Sequence, residues 1–551
     1  MSENDFDVVV LGTGLTESIV AAAIAKAGLR VLHLDESPYY GDRDASLSAI
    51  ELHHLVMQPK AFMENVSAPV PIPEAVLRES RNYSFSLSPS ISPSIGPFID
   101  TLVKSGVARY VPFKLLDAVG LYSDTAERSS QVRLVPASKE DVFKSKELGL
   151  PQKRKLMKFL MGANSSERHP APTQEGGESS PTKTTFRDYL QSKEVGLDAG
   201  IADAIAYALA LSTDANEEKD SAITRLQKYI RSTGRHGNSP FIVGHFGGAG
   251  ELAQGFCRAC AVAGGTYILG RPFTINRIDA IESHSSADAS SSSPIHSFQI
   301  KIDDVEEPLR ARVVVGAQER LHGLSLQTNL QPENIGETVL ARCIAVLDAP
   351  VRFRPSTSPQ KVPTEDFEKD GGESAEALLG DIDTAVLVFP PGSLADSREQ
   401  IGVVHALIAG IVYLSATINR HSSAEETLQP YLAAIRDMNR GEDEPSKLNC
   451  SLFYTETVAS KSESEPRYGP PEEPQNFLVP VERPNSHLAE FGDSVAVEAE
   501  NVFWVVMKSL GLDGRASMGK QKESPGSDYA GQEQELVIVM WPSLVDEGVE
   551  E

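Results

Sequence analysis

Residues 6–46 read FDVVVLGTGLTESIVAAAIAKAGLRVLHLDESPYYGDRDAS, and this stretch decides the fold of the chain. Val8 to Leu11 lack the alternation of a half-exposed strand, which predicts a central strand of a parallel sheet covered on both faces. Residues 16–27 favour a helix, Gly28 fits its C′ position, and Leu29 to Leu34 predict a second strand. Strand, glycine turn, helix and strand together indicate a βαβ unit, so we expect an α/β fold.

The turn of this unit resembles a dinucleotide-binding fingerprint with one position changed. Gly12 and Gly14 form the tight turn, and Asp35 ends the second strand, where such folds keep the acid that holds a ribose hydroxyl. GxGxxG requires a third glycine, but position 17 is Glu17. A carboxylate about 5 Å from a phosphate opposes it by roughly 3 kcal/mol per charge. We therefore predict a retained fold and a lost cofactor, with an FAD-dependent oxidoreductase as the alternative.

Composition limits the partners. The 551 residues contain 51 basic and 77 acidic side chains, a formal net charge of −26. This charge argues against nucleic acid as a partner and against standing attraction to anionic membranes. Protein partners are therefore favoured.

Cysteine content and hydropathy bear on the compartment. Four cysteines in so long a chain do not form a disulfide framework, and the start MSENDFD does not resemble a secretory signal, so we expect a cytoplasmic protein. Residues 401–418 carry no formal charge and just reach the length of a membrane span. Their glycines and β-branched residues favour instead two short buried strands, or a strand and a bend.

Pattern changes along the chain predict four segments. The first part of the sheet domain covers residues 1–115, and an inserted helical domain covers 116–233, with a disordered insert at about 164–183. The sheet domain resumes over 234–511 and closes with a helix near Gly492-Asp493 that Asp493 or Ser494 can cap and Gly511 can end. An acidic flexible tail covers 512–551.

A second informative stretch is AGELAQGFCRACAV, residues 249–262, which predicts a short helix between glycines. Glu251, Gln254 and Arg258 recur at near-helical spacing and share one face, which suits either a binding surface or a solvated helix face. Cys257 and Cys260 lack a second CxxC or a His pair, so we expect neither a metal site nor redox chemistry. No acid, base and nucleophile set predicts catalysis.

The motifs DVVVLGTGLTES, VLHLD and PYYGDRDAS resemble the opening of the Rab GDP-dissociation inhibitor and Rab escort protein superfamily. Its members share the FAD-monooxygenase fold but use no flavin. The resemblance therefore implies a multi-sheet α/β domain of that type with an inserted helical domain. It also implies a non-catalytic protein without a cofactor, in which Gly12, Gly14, Glu17 and Asp35 are a vestigial dinucleotide site.

The same resemblance implies which residues bind a partner. In this superfamily the tyrosine of PYYG and the GEL-Q-F-R helix grip the switch regions of a GDP-bound Rab GTPase, and an RYGxSPY segment contacts the Rab beyond them. That segment is RHGNSPF here, and the usual PLYG is VGHFGG. The matching positions are Tyr40, Glu251, Gln254, Arg258, Thr266, Ile268, Arg235, Ser239 and Phe241.

Within the superfamily, the FCRACAVAGG segment, the length and the acidic tail resemble the escort branch more than the inhibitor branch. An escort presents GDP-bound Rabs to the geranylgeranyltransferase α/β heterodimer and delivers them to membranes, which implies transient membrane association. An inhibitor recycles Rabs that are already prenylated. Either role needs an apolar groove for the geranylgeranyl lipid, for which helices 150–163, 185–211 and 220–232 are the candidates.

Overall fold

The computed structural model describes residues 4–67, 72–123, 132–136, 149–164, 184–278, 298–323, 337–351, 382–394, 402–438, 446–459, 478–483, 486–512 and 538–542. The predicted insert at 164–183 and the predicted tail at 512–551 lie almost entirely outside these ranges.

The helices are α1 (Leu15–Lys26), α2 (Ala49–Met57), α3 (Glu74–Arg78), α4 (Pro97–Ser105), α5 (Leu150–Asn164), α6 (Phe186–Gln191), α7 (Ala199–Asp203) with a π-helical continuation (Ala204–Leu209), α8 (Lys219–Ser232), α9 (Ala249–Val262), α10 (Gln318–Gly323), α11 (Ala424–Met438) and α12 (Phe491–Ser509). The strands are β1 (Asp5–Leu11), β2 (Val31–Asp35), β3 (Ser46–Leu47), β4 (Phe85–Ser86), β5 (Ser92–Pro93), β6 (Phe113–Leu115), β7 (Ala118–Tyr122), β8 (Val132–Leu134), β9 (Phe241–Gly244), β10 (Thr266–Leu269), β11 (Phe273–Arg277), β12 (Phe298–Ile302), β13 (Leu309–Ala317), β14 (Glu337–Leu347), β15 (Thr384–Phe389), β16 (Val404–Ala409), β17 (Val412–Ile418), β18 (Leu448–Ala459) and β19 (Leu478–Val481).

β1 lies inside the first sheet, whose strand order is β10-β2-β1-β13-β12-β11, with β19 also paired to β13. β10, β2, β1, β13 and β19 are mutually parallel, whereas β12 runs antiparallel to both β13 and β11. Val8, Val9 and Val10 are completely buried. The predicted central strand and its βαβ unit are therefore confirmed.

Helices α1, α9 and α12 cover one face of this sheet and share one hydrophobic core with it. The Ala-rich centre of α1, residues 21–23, is completely buried, and its small side chains allow α9 and α12 to pack closely. The helix ends as predicted, because Gly28 takes a φ of 84° and Leu29 N–H donates to the Ile24 carbonyl at 3.3 Å. This packing fixes α9 against the glycine turn of the βαβ unit.

The second sheet has the order β18-β14-β17-β16-β15-β7-β8 and is antiparallel except where β15 meets β7. The uncharged segment 401–418 supplies β16 and β17, joined by a tight turn in which Gly410 has a φ of 73°. The interpretation as two buried strands is therefore confirmed over its described residues. Among the described helices, none combines the length and hydropathy needed to cross a bilayer.

The range 116–233 begins with strands that the sequence pattern did not predict. β7 pairs with β15, more than 260 residues later in the chain, and β8 continues the same sheet. Such short strands depend on tertiary pairing more than on their own residues, so local pattern gives little signal. The helical part starts with α5.

The helical part packs on the second sheet. Ile205, Tyr207 and Leu226 share a hydrophobic core with side chains of β15, β16 and β17. Residues 201–211, which are apolar nearly all round, therefore lie largely in a packed core. The helical segment and the second sheet form two layers around one interior.

The C-terminal helix α12 differs from its prediction at one end. Its side chains Val502, Phe503 and Val506 are completely buried, and Gly511 ends it with a φ of 74°. At the start, neither Asp493 nor Ser494 acts as the cap, because the helix begins at Phe491. The Asp493 carboxylate instead accepts the Phe98 backbone N–H of α4 at 3.0 Å, so it ties two helices together.

Candidate functional site

The glycine turn of the βαβ unit holds the Asp35 carboxylate inside the protein. Gly12 takes a φ of 95°, which favours glycine, and its N–H donates to the Leu34 carbonyl at 2.7 Å. Asp35 is completely buried and accepts both the backbone N–H and the hydroxyl of Thr13 at 2.7 Å. Its other oxygen accepts the Ser37 N–H at 2.9 Å. The acid that holds a ribose hydroxyl in dinucleotide-binding folds is therefore fully engaged by its own chain.

An arginine and an aspartate close the space beyond the turn. Arg320, at the start of α10, lies 2.7 Å from Asp42 and 3.7 Å from Asp35, and a Cβ placed on Gly12 would meet its Nε at 3.2 Å. At the N-terminus of α1, Asp44 accepts the Leu15 N–H at 3.0 Å. The amide and the helix dipole that bind a phosphate in a dinucleotide fold are thus used by a protein carboxylate.

Glu17 acts differently from the sequence expectation of a charged, repelling side chain. Burial, followed by Coulombic repulsion from Asp44 and Asp42, raises its pKa to about 8, so Glu17 is mostly protonated at neutral pH. Burial also raises the pKa of Asp44 to about 6. At neutral pH Glu17 therefore contributes bulk at the turn more than negative charge.

These residues do not fit a dinucleotide. The ribose acid is engaged, the α1 amide is capped by Asp44, and the Glu17 Oε2 lies 2.5 Å from where a Gly14 Cβ would stand. The small cavity beside the turn, about 80 Å³, is lined by acidic side chains and by three arginines, namely Glu17, Asp42, Asp44, Glu456, Arg43, Arg342 and Arg483. Gly12, Gly14, Glu17 and Asp35 form a closed structural element of the sheet.

Helix α9 is fixed on the other side of this element by close backbone contact. Gly247 and Gly248 precede it with φ angles of 70° and 64°. A Cβ on Gly250 would overlap the backbone nitrogen of Ser46 at the start of β3, and the Ser46 hydroxyl donates to the Gly247 carbonyl. Glycine is therefore required for α9 to lie against residues 45–46, at the end of the PYYGDRDAS motif.

The outward face of α9 presents Gln254 and Arg258, both exposed. The Arg258 guanidinium lies over the Tyr110 ring, 5.2 Å from its centroid, and the Tyr110 hydroxyl donates to the Gly255 carbonyl at 3.1 Å. This contact holds the guanidinium in place while its donors remain accessible. Glu251, one turn before Gln254, is partly buried, and burial raises its pKa to about 7.

Strand β10 continues this surface at the edge of the first sheet. Thr266 is exposed, Ile268 is partly exposed, and both pair with β2. Tyr267 lies between them and packs edge-on against Tyr40, with ring centroids 5.9 Å apart. We call Tyr40, Glu251, Gln254, Arg258, Thr266 and Ile268 together the α9–β10 surface.

The remaining three predicted residues lie elsewhere. Arg235 is exposed in the turn after α8, and the Ser239 side chain hydrogen-bonds the backbone of Phe241. Phe241 is 1% exposed and packs edge-on against Tyr229 in the core. Its ring therefore presents no face for a partner, which departs from the role that the resemblance implied.

Sequence reasoning missed three aromatic side chains around α9. Tyr110, Phe246 and Tyr267 are 40%, 59% and 40% exposed. Phe246 lies beside the N-terminus of α9, where its backbone hydrogen-bonds the Glu251 carboxylate. Exposed aromatic rings are typical of protein interfaces. The signal was available, since Phe246 stands inside the divergent VGHFGG segment.

The two cysteines of α9 are structural. Cys257 and Cys260 are buried, and burial raises the pKa of both thiols to about 12. The Cys257 sulfur lies 3.4 Å from the Ser18 hydroxyl on α1. Thiols in this environment stay protonated and pack as small apolar side chains.

Comparison with known proteins identifies the family of the chain. Residues 1–284 match a family model described as GDP dissociation inhibitor, which is more than half of the 551 residues. The chain belongs to the GDP dissociation inhibitor family. The resemblance predicted from the sequence motifs is thereby confirmed.

Two curated relatives are equally similar. The chain is 33% identical over 289 residues to Rab proteins geranylgeranyltransferase component A of Drosophila melanogaster, covering 48% of this chain and 53% of that protein. It is 33% identical over 273 residues to Rab GDP dissociation inhibitor beta of Rattus norvegicus, covering 49% and 56%. The chain thus spans about half the length of these curated relatives.

Among solved structures, Rab GDI from Plasmodium falciparum aligns with a TM-score of 0.58 at 18% identity, over 92% of this chain and 98% of that one. This similarity extends the shared fold beyond residue 284.

Proposed function

We propose that this chain binds Rab GTPases in their GDP-bound form through the α9–β10 surface. The observation that carries the proposal is Arg258, held over Tyr110 on a glycine-anchored helix inside the segment that matches the family. A rigid surface with a fixed guanidinium suits the recognition of carboxylates and carbonyls on a partner. The exposed aromatics Tyr110, Phe246 and Tyr267 add contact area around it.

The proposed role is non-catalytic. As an accessory component, the chain presents unprenylated Rabs to the geranylgeranyltransferase α/β heterodimer and then delivers them to membranes, with only transient membrane contact from the cytoplasm. The FCRACAVAGG segment and the relative called component A favour this escort role. The similarity to Rab GDP dissociation inhibitor beta supports the second candidate, recycling of Rabs that are already prenylated.

Both roles require an apolar site for the geranylgeranyl chain. Twenty carbons gain of order 10 kcal/mol on leaving water, at roughly 0.8 kcal/mol per buried CH₂. Helices α5, α6 to α7 and α8 are the proposed elements, because they combine apolar faces with a position on the outside of the second sheet. Met157, Phe159 and Leu160 on α5 are only partly buried and provide apolar surface there.

A reconstituted prenylation reaction distinguishes the two roles. It contains the transferase heterodimer, labelled geranylgeranyl diphosphate and an unprenylated GDP-loaded Rab, with or without this chain. We expect label transfer to the Rab only when the chain is present. Absence of transfer in a mixture where the chain binds that Rab would assign the chain to the inhibitor role.

A further inference from the structure

A polar cavity of about 320 Å³ lies between the second sheet and the helical part of the molecule. Its floor comes from β14, β16 and β17, and its opposite wall from α8 and the segment just before α12. Pockets of about 300 Å³ and above accommodate small-molecule ligands. It lies apart from the α9–β10 surface, with which it shares no lining residue.

Three polar side chains form a row across its floor. Arg342 on β14 pairs directly with Ser415 on β17, and Ser415 pairs directly with His405 on β16. Directly opposed residues on neighbouring antiparallel strands point to the same face of a sheet, and the strands are about 4.8 Å apart. The row therefore places a guanidinium, a hydroxyl and an imidazole side by side in the cavity.

Two members of this row are deeply buried with unused hydrogen-bonding capacity. His405 is 4% exposed, and its Nε2 has no hydrogen-bond partner among the described residues. Arg342 is 7% exposed, its Nε likewise has none, and its Nη2 reaches Glu456 only at 3.4 Å. Burial and Arg225 lower the pKa of His405 to about 4, so the imidazole is neutral and can donate from Nε2.

Arg483 adds a third donor to the cavity. Its Nη1 donates to the Thr457 carbonyl, and its Nη2 lies 3.1 Å from Glu319, whose side chain is 54% exposed. Its Nε has no hydrogen-bond partner within the described part of the chain. Arg225, on α8, differs because Glu217 binds it with both oxygens at 2.6 and 2.7 Å. The lining thus contains three guanidinium groups and one carboxylate, and that carboxylate is engaged by Arg225.

Packing alone does not account for this arrangement. Replacing a buried ion pair or an unpaired polar atom by an apolar side chain of similar volume often leaves the folded protein equally or more stable. The neighbouring positions of these strands are apolar. Unsatisfied donors converging on a cavity from β14, β16 and the segment before α12 are instead typical of a binding site.

We propose that this cavity binds a small molecule through an oxyanion group, a phosphate or a carboxylate, held by Arg342, Arg483 and His405. Guanidinium groups match the geometry of both anions, and the neutral imidazole supplies a further donor. Such a ligand would join the second sheet to the helical part, which the proposed lipid-binding role also uses.

The test is a calorimetric titration of the full chain with inorganic phosphate. Phosphate replaces chloride during the titration, so that the ionic strength stays constant. We expect saturable binding that weakens about tenfold or more in the Arg342→Gln/Glu456→Gln double variant, which removes the guanidinium without leaving its partner charged. The matched control is Arg187→Gln/Asp203→Asn, which removes an ion pair in the helical part outside the cavity and leaves phosphate affinity unchanged. A parallel titration with succinate distinguishes the two anions. Tighter binding of succinate than of phosphate would identify a carboxylate as the preferred group, and the reverse would identify a phosphate.

A second variant keeps the test decisive if the double variant does not fold. His405→Leu removes the unpaired Nε2 and fills the space with apolar atoms, so we expect an unchanged or higher unfolding temperature together with phosphate binding weakened at least about threefold. Two results would overturn the proposal: no saturable binding of either anion to the unaltered chain, or equal affinity in the cavity variants and the control.

Discussion

Glu17 occupies the position of a glycine in dinucleotide folds, and its protonation makes the stability of the folded chain depend on pH. Its pKa of about 8 in the folded chain exceeds the ordinary value of 4.5. Between these pH values the folded state keeps a proton that the unfolded state has lost, so stability falls as pH rises through this window. Above about pH 8 the loss is complete.

Glu17→Gln should remove this dependence, because the amide keeps the shape and cannot ionise. Relative to the unaltered chain, we expect the variant to gain stability as pH rises from about 5 to about 9. The pKa shift from 4.5 to about 8 sets an upper limit of about 5 kcal/mol at about 1.4 kcal/mol per pKa unit, and solvent screening of the partly buried side chain reduces the gain to a few kcal/mol. Urea unfolding across this range measures the difference. The exposed Glu74→Gln provides the control, and parallel pH profiles for Glu17→Gln and the unaltered chain would show that Glu17 is not buried as described.

Single residues show what sequence reasoning could reach. Gly12, Gly14 and Asp35 were predictable, because the turn needs backbone freedom and the acid ends a strand. Asp44 and Arg320 were not, since they reach the turn from 29 and more than 300 residues along the chain. The buried state of Phe241 was equally inaccessible, because it depends on pairing between β5, β6 and β9.

At the scale of elements, α9 depends on one close approach. The Gly250 Cα faces Ser46 so closely that any side chain would overlap backbone. Gly250→Ala should therefore displace α9 from residues 45–46, lower stability by about 1–3 kcal/mol and weaken Rab binding.

Gly162, on α5, is the matched control, since a Cβ there would meet nothing within 4 Å. Gly162→Ala should be neutral or stabilise by up to about 1 kcal/mol, because alanine favours a helix. Thermal unfolding and Rab affinity of both variants are measured together. Equal behaviour of the two variants would contradict the close packing of α9.

Elements with strong local patterns were predicted well, and those that depend on distant pairing were not. Two elements could be predicted from local pattern: the uncharged segment that forms β16 and β17, and α12, whose apolar residues recur every three or four positions over the whole helix. β7 and β8 could not, because β7 becomes a strand only beside β15 and β8 only beside β7. The row of polar side chains on β14, β17 and β16 could not be predicted either, because only the pairing register of the three strands brings these residues together.

At the scale of the whole molecule, an ion-pair cluster joins the helical part to the start of α12, the C-terminal helix that packs on the first sheet. Lys228 on α8 lies 2.7 Å from Glu490 and 3.0 Å from Asp493, and the Tyr229 hydroxyl donates to Glu490 at 2.6 Å. All three charged side chains are less than one quarter exposed.

Lys228→Met should destabilise the chain by about 3 kcal/mol, because two partly buried carboxylates lose their shared cation. The control Lys301→Met changes an exposed side chain on β12 and should shift stability by less than about 0.5 kcal/mol. Equilibrium unfolding compares them. If both variants have the same free energy of unfolding, the cluster does not stabilise the contact between the helical part and α12.

The central claim is that a scaffold with a closed nucleotide turn presents α9 and β10 to a Rab GTPase. The most direct test is a fluorescence titration of a GDP-loaded Rab with the unaltered chain, with Arg258→Ala, and with Arg277→Ala at the opposite edge of the same sheet. We predict saturable binding that Arg277→Ala leaves intact and Arg258→Ala weakens at least about tenfold, or about 1.4 kcal/mol. No saturable binding to the unaltered chain, or equal affinity of all three proteins, would contradict the account.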